Sequence, residues 1–134
     1  MTNNARGPFR VKVNPLDAYN KDEGANLARM SIDKQFHGDL EAISKGEMIA
    51  SGSGAKGSSG AYVALERVTG TLHGRSGSFV LQHNATMTRG EPYMNIVVVP
   101  DSGTGGLTGL SGKMMIIIAD GKHSYEFDYA LPST

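Results

Sequence analysis

The sequence contains no cysteine and no apolar run near the roughly 18 residues that a membrane-spanning helix needs. Without cysteine, disulfide bonds, thiolate catalysis and cysteine-ligated metals are excluded. Its 13 basic residues equal its 13 acidic residues. Because binding to duplex nucleic acid or to anionic membranes normally needs an excess of lysine and arginine, we expect neither partner.

Sustained helical periodicity is also lacking. The best helical window, residues 16–30, contains Gly24 and is polar on most faces, so we interpret it as a loop. Residues 1–8 are expected to form a flexible N-terminal segment without the apolar run of a signal peptide, which favours a cytoplasmic location. The glycine- and serine-rich residues 51–60 are expected to form a flexible surface loop.

Alternation of apolar and polar residues dominates the rest of the chain, and many of the 18 glycines lie between the alternating runs. The pattern predicts one domain over residues 1–134, with about eight strands and no crossover helices between them. We therefore predict an all-β fold, an eight-stranded antiparallel β-barrel closed like a lipocalin. The predicted strands cover residues 9–13, 27–36, 40–50, 62–72, 78–87, 93–99, 114–119 and 122–131.

The last hairpin is the clearest, because Asp120-Gly121 favours a type I′ turn. Its register places one apolar, aromatic face inside the barrel, with Met115 and Ile117 on the opposite face. The predicted inner pairs are Ile118 with His123, Ile116 with Tyr125, and Met114 with Phe127.

A second hairpin is predicted around Gly74-Arg75. A two-residue turn there places Glu66 directly opposite His83 on the inner face, with Gly70 opposite Phe79 and Val68 opposite Leu81. A buried carboxylate is costly unless it is paired, and paired with an imidazole it can act as a general acid or base. Glu66 and His83 are the candidate catalytic residues, although a purely structural hydrogen-bonded pair is the alternative.

Other inner-face side chains are candidate ligand contacts, while buried tyrosines also serve as core. For residues 27–50 two faces stay open: either Met30, Ile32 and Phe36 point inward, or Ser31, Asp33 and Gln35 do. The four histidines lack the close spacing of metal ligands, and neither glycine-rich loop matches a phosphate-binding motif, so we expect no metal and no cofactor. The candidate ligand contacts are Tyr62, Phe79, Leu81, Tyr125, Phe127 and Tyr129.

Five segments, residues 31–41, 66–72, 77–83, 100–107 and 119–127, resemble a bacterial domain-of-unknown-function family with an allene oxide cyclase-like barrel. The Gly103-Thr104-Gly105 stretch is also similar to a signature of allene oxide cyclases and dirigent proteins. This resemblance implies an oligomeric barrel whose cavity holds a hydrophobic molecule. The catalytic residues of those relatives do not map onto this chain.

Three functions follow as hypotheses. The first is cofactor-free isomerisation or cyclisation of a small hydrophobic molecule by proton transfer, with Glu66 helped by His83. The second is a non-catalytic carrier of an apolar metabolite. The third is a packed structural subunit of a homo-oligomer. Because Met115 and Ile117 would add to an exposed apolar patch, we expect a homodimer, unless the N-terminal segment or residues 16–30 cover that patch.

Overall fold

The structure, a computed structural model, describes residues 2–132 and consists almost entirely of β-strands. Within these residues one 3-10 turn, Gly105–Leu107, lies in the last long loop. Among the described residues no helix has the length and apolar character needed to cross a membrane. The strands are β1 Asn3–Leu16, β2 Leu27–Phe36, β3 Leu40–Gly52, β4 Gly60–Leu72, β5 Arg75–Thr88, β6 Glu91–Val98, β7 Ser111–Ala119 and β8 Lys122–Ala130.

Each strand pairs antiparallel with the next, and β8 pairs with β1 to close the barrel. This confirms the predicted all-β fold, an eight-stranded antiparallel closed barrel. Residues 3–8, which we expected in a flexible segment, lie in β1 instead and pair with β8 from Asn3↔Tyr129 onward. The backbone hydrogen bonds of this pairing explain the difference, since a closed barrel leaves no free edge. The loop expected at residues 51–60 is shorter, because β3 ends at Gly52 and β4 begins at Gly60.

The β7–β8 register is confirmed. Asp120 and Gly121 both have positive φ angles, 53° and 72°, as a type I′ turn requires. Ile116 lies opposite Tyr125 and Met114 opposite Phe127. Met115 and Ile117 therefore lie on the outer face, where both are exposed.

The predicted β4–β5 register is wrong by two residues. The turn consists of His73 and Gly74, with φ angles of 45° and 82°, and not of Gly74 and Arg75. Glu66 therefore lies opposite Leu81, while His83 lies opposite Ala64. A shift of two preserves the side-chain alternation, so Glu66 and His83 still point inward and meet diagonally.

The open question about residues 27–50 is settled in favour of the first face. Ile32 and Phe36 are buried, whereas Asp33 and Gln35 are exposed. Lys34 shares the inner face with Ile32 and Phe36, and it is buried as well.

The two ends of the barrel differ. At one, the packed end, the β2–β3 and β4–β5 turns meet the loop before β7, and Leu107 and Leu110 of that loop are buried. This loop approaches the strands so closely that a Cβ on Gly77 would lie 2.0 Å from the carbonyl oxygen of Thr104. The glycines are needed here for close backbone packing.

The opposite end, which we call the open end, carries the β1–β2 and β3–β4 loops and the β5–β6 and β7–β8 turns. Within the described chain, β6 and β7 pair only at Ile96↔Met114 and Val97↔Lys113, and they separate towards this end. Inner-face apolar side chains such as Val13, Met87 and Met94 are consequently exposed rather than packed.

Candidate functional site

A charged cluster lies inside the barrel between its two ends, centred on the Glu66 carboxylate. Glu66 is 1% exposed. Its Oε2 accepts hydrogen bonds from Lys34 Nζ at 2.8 Å and from His83 Nε2 at 2.5 Å. Its Oε1 accepts one from the Ser44 hydroxyl at 2.6 Å. Three strands besides β4 thus contribute a donor to one carboxylate.

Lys34, like Ser44, is a member of this cluster that the sequence did not indicate. It is 6% exposed, and its ammonium lies 5.4 Å from the ring centroid of Phe9 and 5.7 Å from that of Phe36. Cation–π attraction and the ion pair with Glu66 together compensate for the loss of water around the charge. Alternation from Ile32 to Phe36 would have placed Lys34 inward once that face had been chosen.

The buried carboxylate stays ionised. Burial alone would raise the pKa of Glu66, but the hydrogen bond from His83 and the charge of Lys34 outweigh it and lower that pKa from 4.5 to about 2. The cluster therefore holds one fixed negative charge beside one fixed positive charge.

His83 connects this ion pair to Tyr62. The imidazole is 3% exposed, and its Nδ1 lies 3.1 Å from the Tyr62 hydroxyl. The ionised Glu66 carboxylate can only accept, so His83 Nε2 carries the proton of the hydrogen bond between them. Burial, reinforced by the negative charge of Glu66, raises the pKa of Tyr62, which keeps the phenol protonated.

Tyr62 also lines a cavity at the open end, of about 320 Å³. This volume lies at the lower end of the range of roughly 300–1,000 Å³ for small-molecule sites. We call it the open-end cavity, and Tyr62 is the residue that belongs both to it and to the charged cluster. Its inner-face lining side chains are Met48, Ala50, Tyr62, Ala85, Met87, Pro92 and Met94, and it is also lined by Gly60, Ala61, Thr86 and Tyr93.

A larger depression, of about 700 Å³, lies mainly on the outer face of β3, β4 and β5. Exposed Ile49, Val63 and Leu65 line it, together with Arg29 and Glu47. Because these side chains alternate with the inner ones, they point away from the charged cluster. Of the charged cluster and its hydrogen-bonded neighbour Tyr62, His83 also lines this depression, whereas Tyr62 lines the open-end cavity.

The other predicted ligand contacts lie in the packed end. Phe79 and Phe127 are stacked with ring centroids 5.7 Å apart, and Phe127 also stacks on Tyr129. The Tyr125 hydroxyl binds backbone atoms of the β2–β3 turn, accepting from the Leu40 amide at 2.9 Å and donating to the His37 carbonyl at 2.7 Å. Leu81 is fully buried in the same core. The structure thus brings together Glu66, His83 and Tyr62, and places these five in the core.

A second set of the same residue types closes the packed end. His73 Nδ1 is hydrogen-bonded to the Tyr129 hydroxyl, and His73 Nε2 lies 3.6 Å from Asp39 Oδ2. His73 is 39% and Asp39 45% exposed at the side chain, whereas Tyr129 is buried. Over residues 2–132, no three His, Asp or Glu side chains are grouped so that they could hold a metal ion.

Comparison with known proteins identifies the family. Residues 5–129 match the model of DUF3224, described as a protein of unknown function. The chain belongs to the DUF3224 family. A crystal structure of a DUF3224 protein of unknown function from Shewanella oneidensis MR-1 is 47% identical, with a TM-score of 0.93 over 100% of both chains. No curated protein matches the sequence. The predicted membership of a bacterial family of unknown function is thereby confirmed at this level.

Proposed function

We propose that this DUF3224 protein binds a small hydrophobic molecule in the open-end cavity, with Tyr62 as its polar contact. The observation that supports this most strongly is the position of Tyr62. It lines the cavity among otherwise apolar inner-face side chains and is hydrogen-bonded to the buried His83–Glu66 pair. Apolar cavities with one or two convergent polar groups are typical of small-molecule sites.

In this proposal Glu66 does not contact the ligand. Three donors surround its carboxylate, and the side chain has no exposed surface. Glu66 and His83 are positioning residues that fix the orientation of the Tyr62 hydroxyl. This differs from our sequence hypothesis, in which Glu66 itself moved the proton.

Methionine residues provide a direct test, because Met48, Met87 and Met94 line the open-end cavity. Met114 is buried in the core and Met115 is exposed on the outer face, so both are internal controls. With ¹³C-methyl-labelled methionine, titration with naphthalene is expected to shift the signals of the three cavity methionines and to leave the two controls unchanged. Shifts confined to Met115, or no shifts at all, would contradict the proposal.

Proton transfer to or from the bound molecule is a second candidate, favoured by the continuous Tyr62–His83–Glu66 chain of hydrogen bonds. A ligand O–H bond breaks as its proton passes to the Tyr62 oxygen, while the Tyr62 proton passes to His83 Nδ1. The products are a ligand oxyanion, neutral Tyr62 and an imidazolium beside the Glu66 carboxylate. Such a step would serve the cofactor-free isomerisation or cyclisation that the resemblance to allene oxide cyclases suggests.

We also propose that the protein is a homodimer. Met115 is 51% and Ile117 37% exposed on the outer face of β7, and neither β1 nor the β1–β2 loop covers them. Light scattering on the eluting protein is expected to give twice the mass of the chain. A Met115→Lys, Ile117→Lys variant is expected to give the mass of one chain, and a wild-type monomer would refute the proposal.

A further inference from the structure

We propose that the ligand of the open-end cavity is a neutral apolar molecule with a hydroxyl group that donates a hydrogen bond to the Tyr62 oxygen. This rests on the proposed binding function and names the class of ligand. An alcohol or phenol fits it, whereas a ketone, an ether or a carboxylate does not.

The direction of the hydrogen bonds leads to this class. The carboxylate of Glu66 only accepts, which places a proton on His83 Nε2. Because Lys34 already places a positive charge on the same carboxylate oxygen, we infer a neutral imidazole, whose one acceptor is Nδ1. The Tyr62 hydroxyl is the group within hydrogen-bond distance of that nitrogen. Tyr62 has a single proton to donate, and this bond uses it.

What Tyr62 can still offer a ligand is therefore a lone pair. A ligand oxygen without a proton, such as that of a ketone or an ether, would meet this lone pair with its own. A hydroxyl group instead donates to it and completes the chain from ligand to Tyr62, His83 and Glu66. Hydrogen bonds that continue one another in this way are strengthened in an apolar interior.

The charges of the cluster indicate that the ligand is neutral. Lys34 and Glu66 form a buried pair with their charges 2.8 Å apart, so neither is free to act as the counter-ion of a ligand. Apart from Tyr62, the inner-face side chains that line the cavity are those of methionine, alanine and proline. A charged ligand would lose its water here without gaining a partner.

Two naphthalene derivatives test the inference, since they share an apolar body. 2-Naphthol carries a donor, whereas 2-methoxynaphthalene carries only an acceptor. At neutral pH we expect 2-naphthol to bind about tenfold more tightly, the equivalent of one net hydrogen bond. In Tyr62→Phe the ratio is expected to fall to about two or less. The matched variant Tyr129→Phe, which loses the corresponding hydroxyl at the packed end, is expected to keep the wild-type ratio.

The outcomes separate the two proposals. Equal affinity of both compounds for the wild-type protein would overturn the hydroxyl preference and leave the binding function intact. Failure of both compounds, and of naphthalene, to bind would overturn the binding function itself. A ratio that persists in Tyr62→Phe would overturn the assignment to Tyr62.

A spectroscopic measurement tests the direction of the hydrogen bonds from Tyr62 to His83 and from His83 to Glu66, and it needs no ligand. Imidazole ¹⁵N chemical shifts distinguish a protonated ring nitrogen from a bare one. We expect His83 to carry its proton on Nε2, with Nδ1 bare. A proton on Nδ1 would reverse the hydrogen bond to Tyr62 and overturn the inference.

Discussion

The two ends of this barrel each contain a tyrosine, a histidine and a carboxylate in contact, but in opposite order relative to solvent. Near the open end the carboxylate of Glu66 is innermost and Tyr62 meets the cavity. At the packed end Tyr129 is innermost and the carboxylate of Asp39 lies at the surface.

The order decides what each set can do. A carboxylate in the interior keeps its charge only because Lys34 and His83 hold it, so its field acts on the tyrosine with little screening by water. The Asp39 carboxylate is screened by solvent, and its histidine serves to tie a turn to the end of β8. The same three residue types therefore form a candidate site near the open end and a structural contact between a turn and β8 at the packed end.

The largest expected difference between the two sets is in the free energy of unfolding after removal of a charge. Lys34→Met leaves Glu66 buried without its cation and is expected to cost about 3–5 kcal/mol. Asp39→Asn, at the exposed pair, is expected to cost about 1 kcal/mol or less. Urea denaturation measures both, and similar costs would remove the distinction. Adding Glu66→Gln to Lys34→Met is expected to restore part of the loss.

The cost of truncating a side chain should also be larger at the packed end than at the open end. Leu107→Ala empties a fully buried position at the packed end and is expected to cost about 2–5 kcal/mol. Met87→Ala truncates a side chain that is exposed at the open end, with an expected cost of about 0.5 kcal/mol or less. Equal losses in thermal or chemical denaturation would mean that the open end is packed as well.

Low pH should destabilise the folded protein through protonation of the buried Glu66. Its pKa is lowered from 4.5 to about 2 in the folded protein, so its contribution is complete above pH 4.5 and is lost as the pH falls through about 2. The shift corresponds to roughly 3 kcal/mol of unfolding free energy. Denaturation between pH 2 and 6 is expected to show this loss in the wild type and not in Glu66→Gln. An identical slope in both proteins would assign the acid sensitivity to other groups.

The smallest expected effect concerns the tyrosines. Tyr129→Phe removes a hydrogen bond to His73 and is expected to cost about 1 kcal/mol in unfolding free energy. Its affinity for 2-naphthol should equal that of the wild type, measured by isothermal titration calorimetry. A loss of affinity in Tyr129→Phe would mean that the two ends are coupled.

The fold could be predicted from the sequence because alternation and turn chemistry are local. Asp120-Gly121 fixed the register of β7 and β8 correctly, since this dipeptide readily takes two positive φ angles. The β4–β5 register was wrong because His73, and not Arg75, takes the positive φ angle beside Gly74. Histidine is uncommon in this conformation, although it is enriched several-fold over most residues.

The candidate site could be predicted only in part. Glu66 and His83 are on adjacent strands, and the alternation of side chains along each strand was enough to place both on the inner face. Lys34 and Ser44 are 32 and 22 residues from Glu66, and their contacts depend on the tilt of the strands in the closed barrel. Separation of β6 from β7, which leaves the open end unfilled, has no signal in either strand by itself.

A crystal structure of the protein bound to 2-naphthol tests the central claim most directly. We expect the naphthalene rings to lie among Met48, Met87 and Met94, with the naphthol oxygen within about 3.0 Å of the Tyr62 hydroxyl oxygen. Naphthol bound instead against Ile49, Val63 and Leu65, in the larger depression on the outer face, would contradict the account.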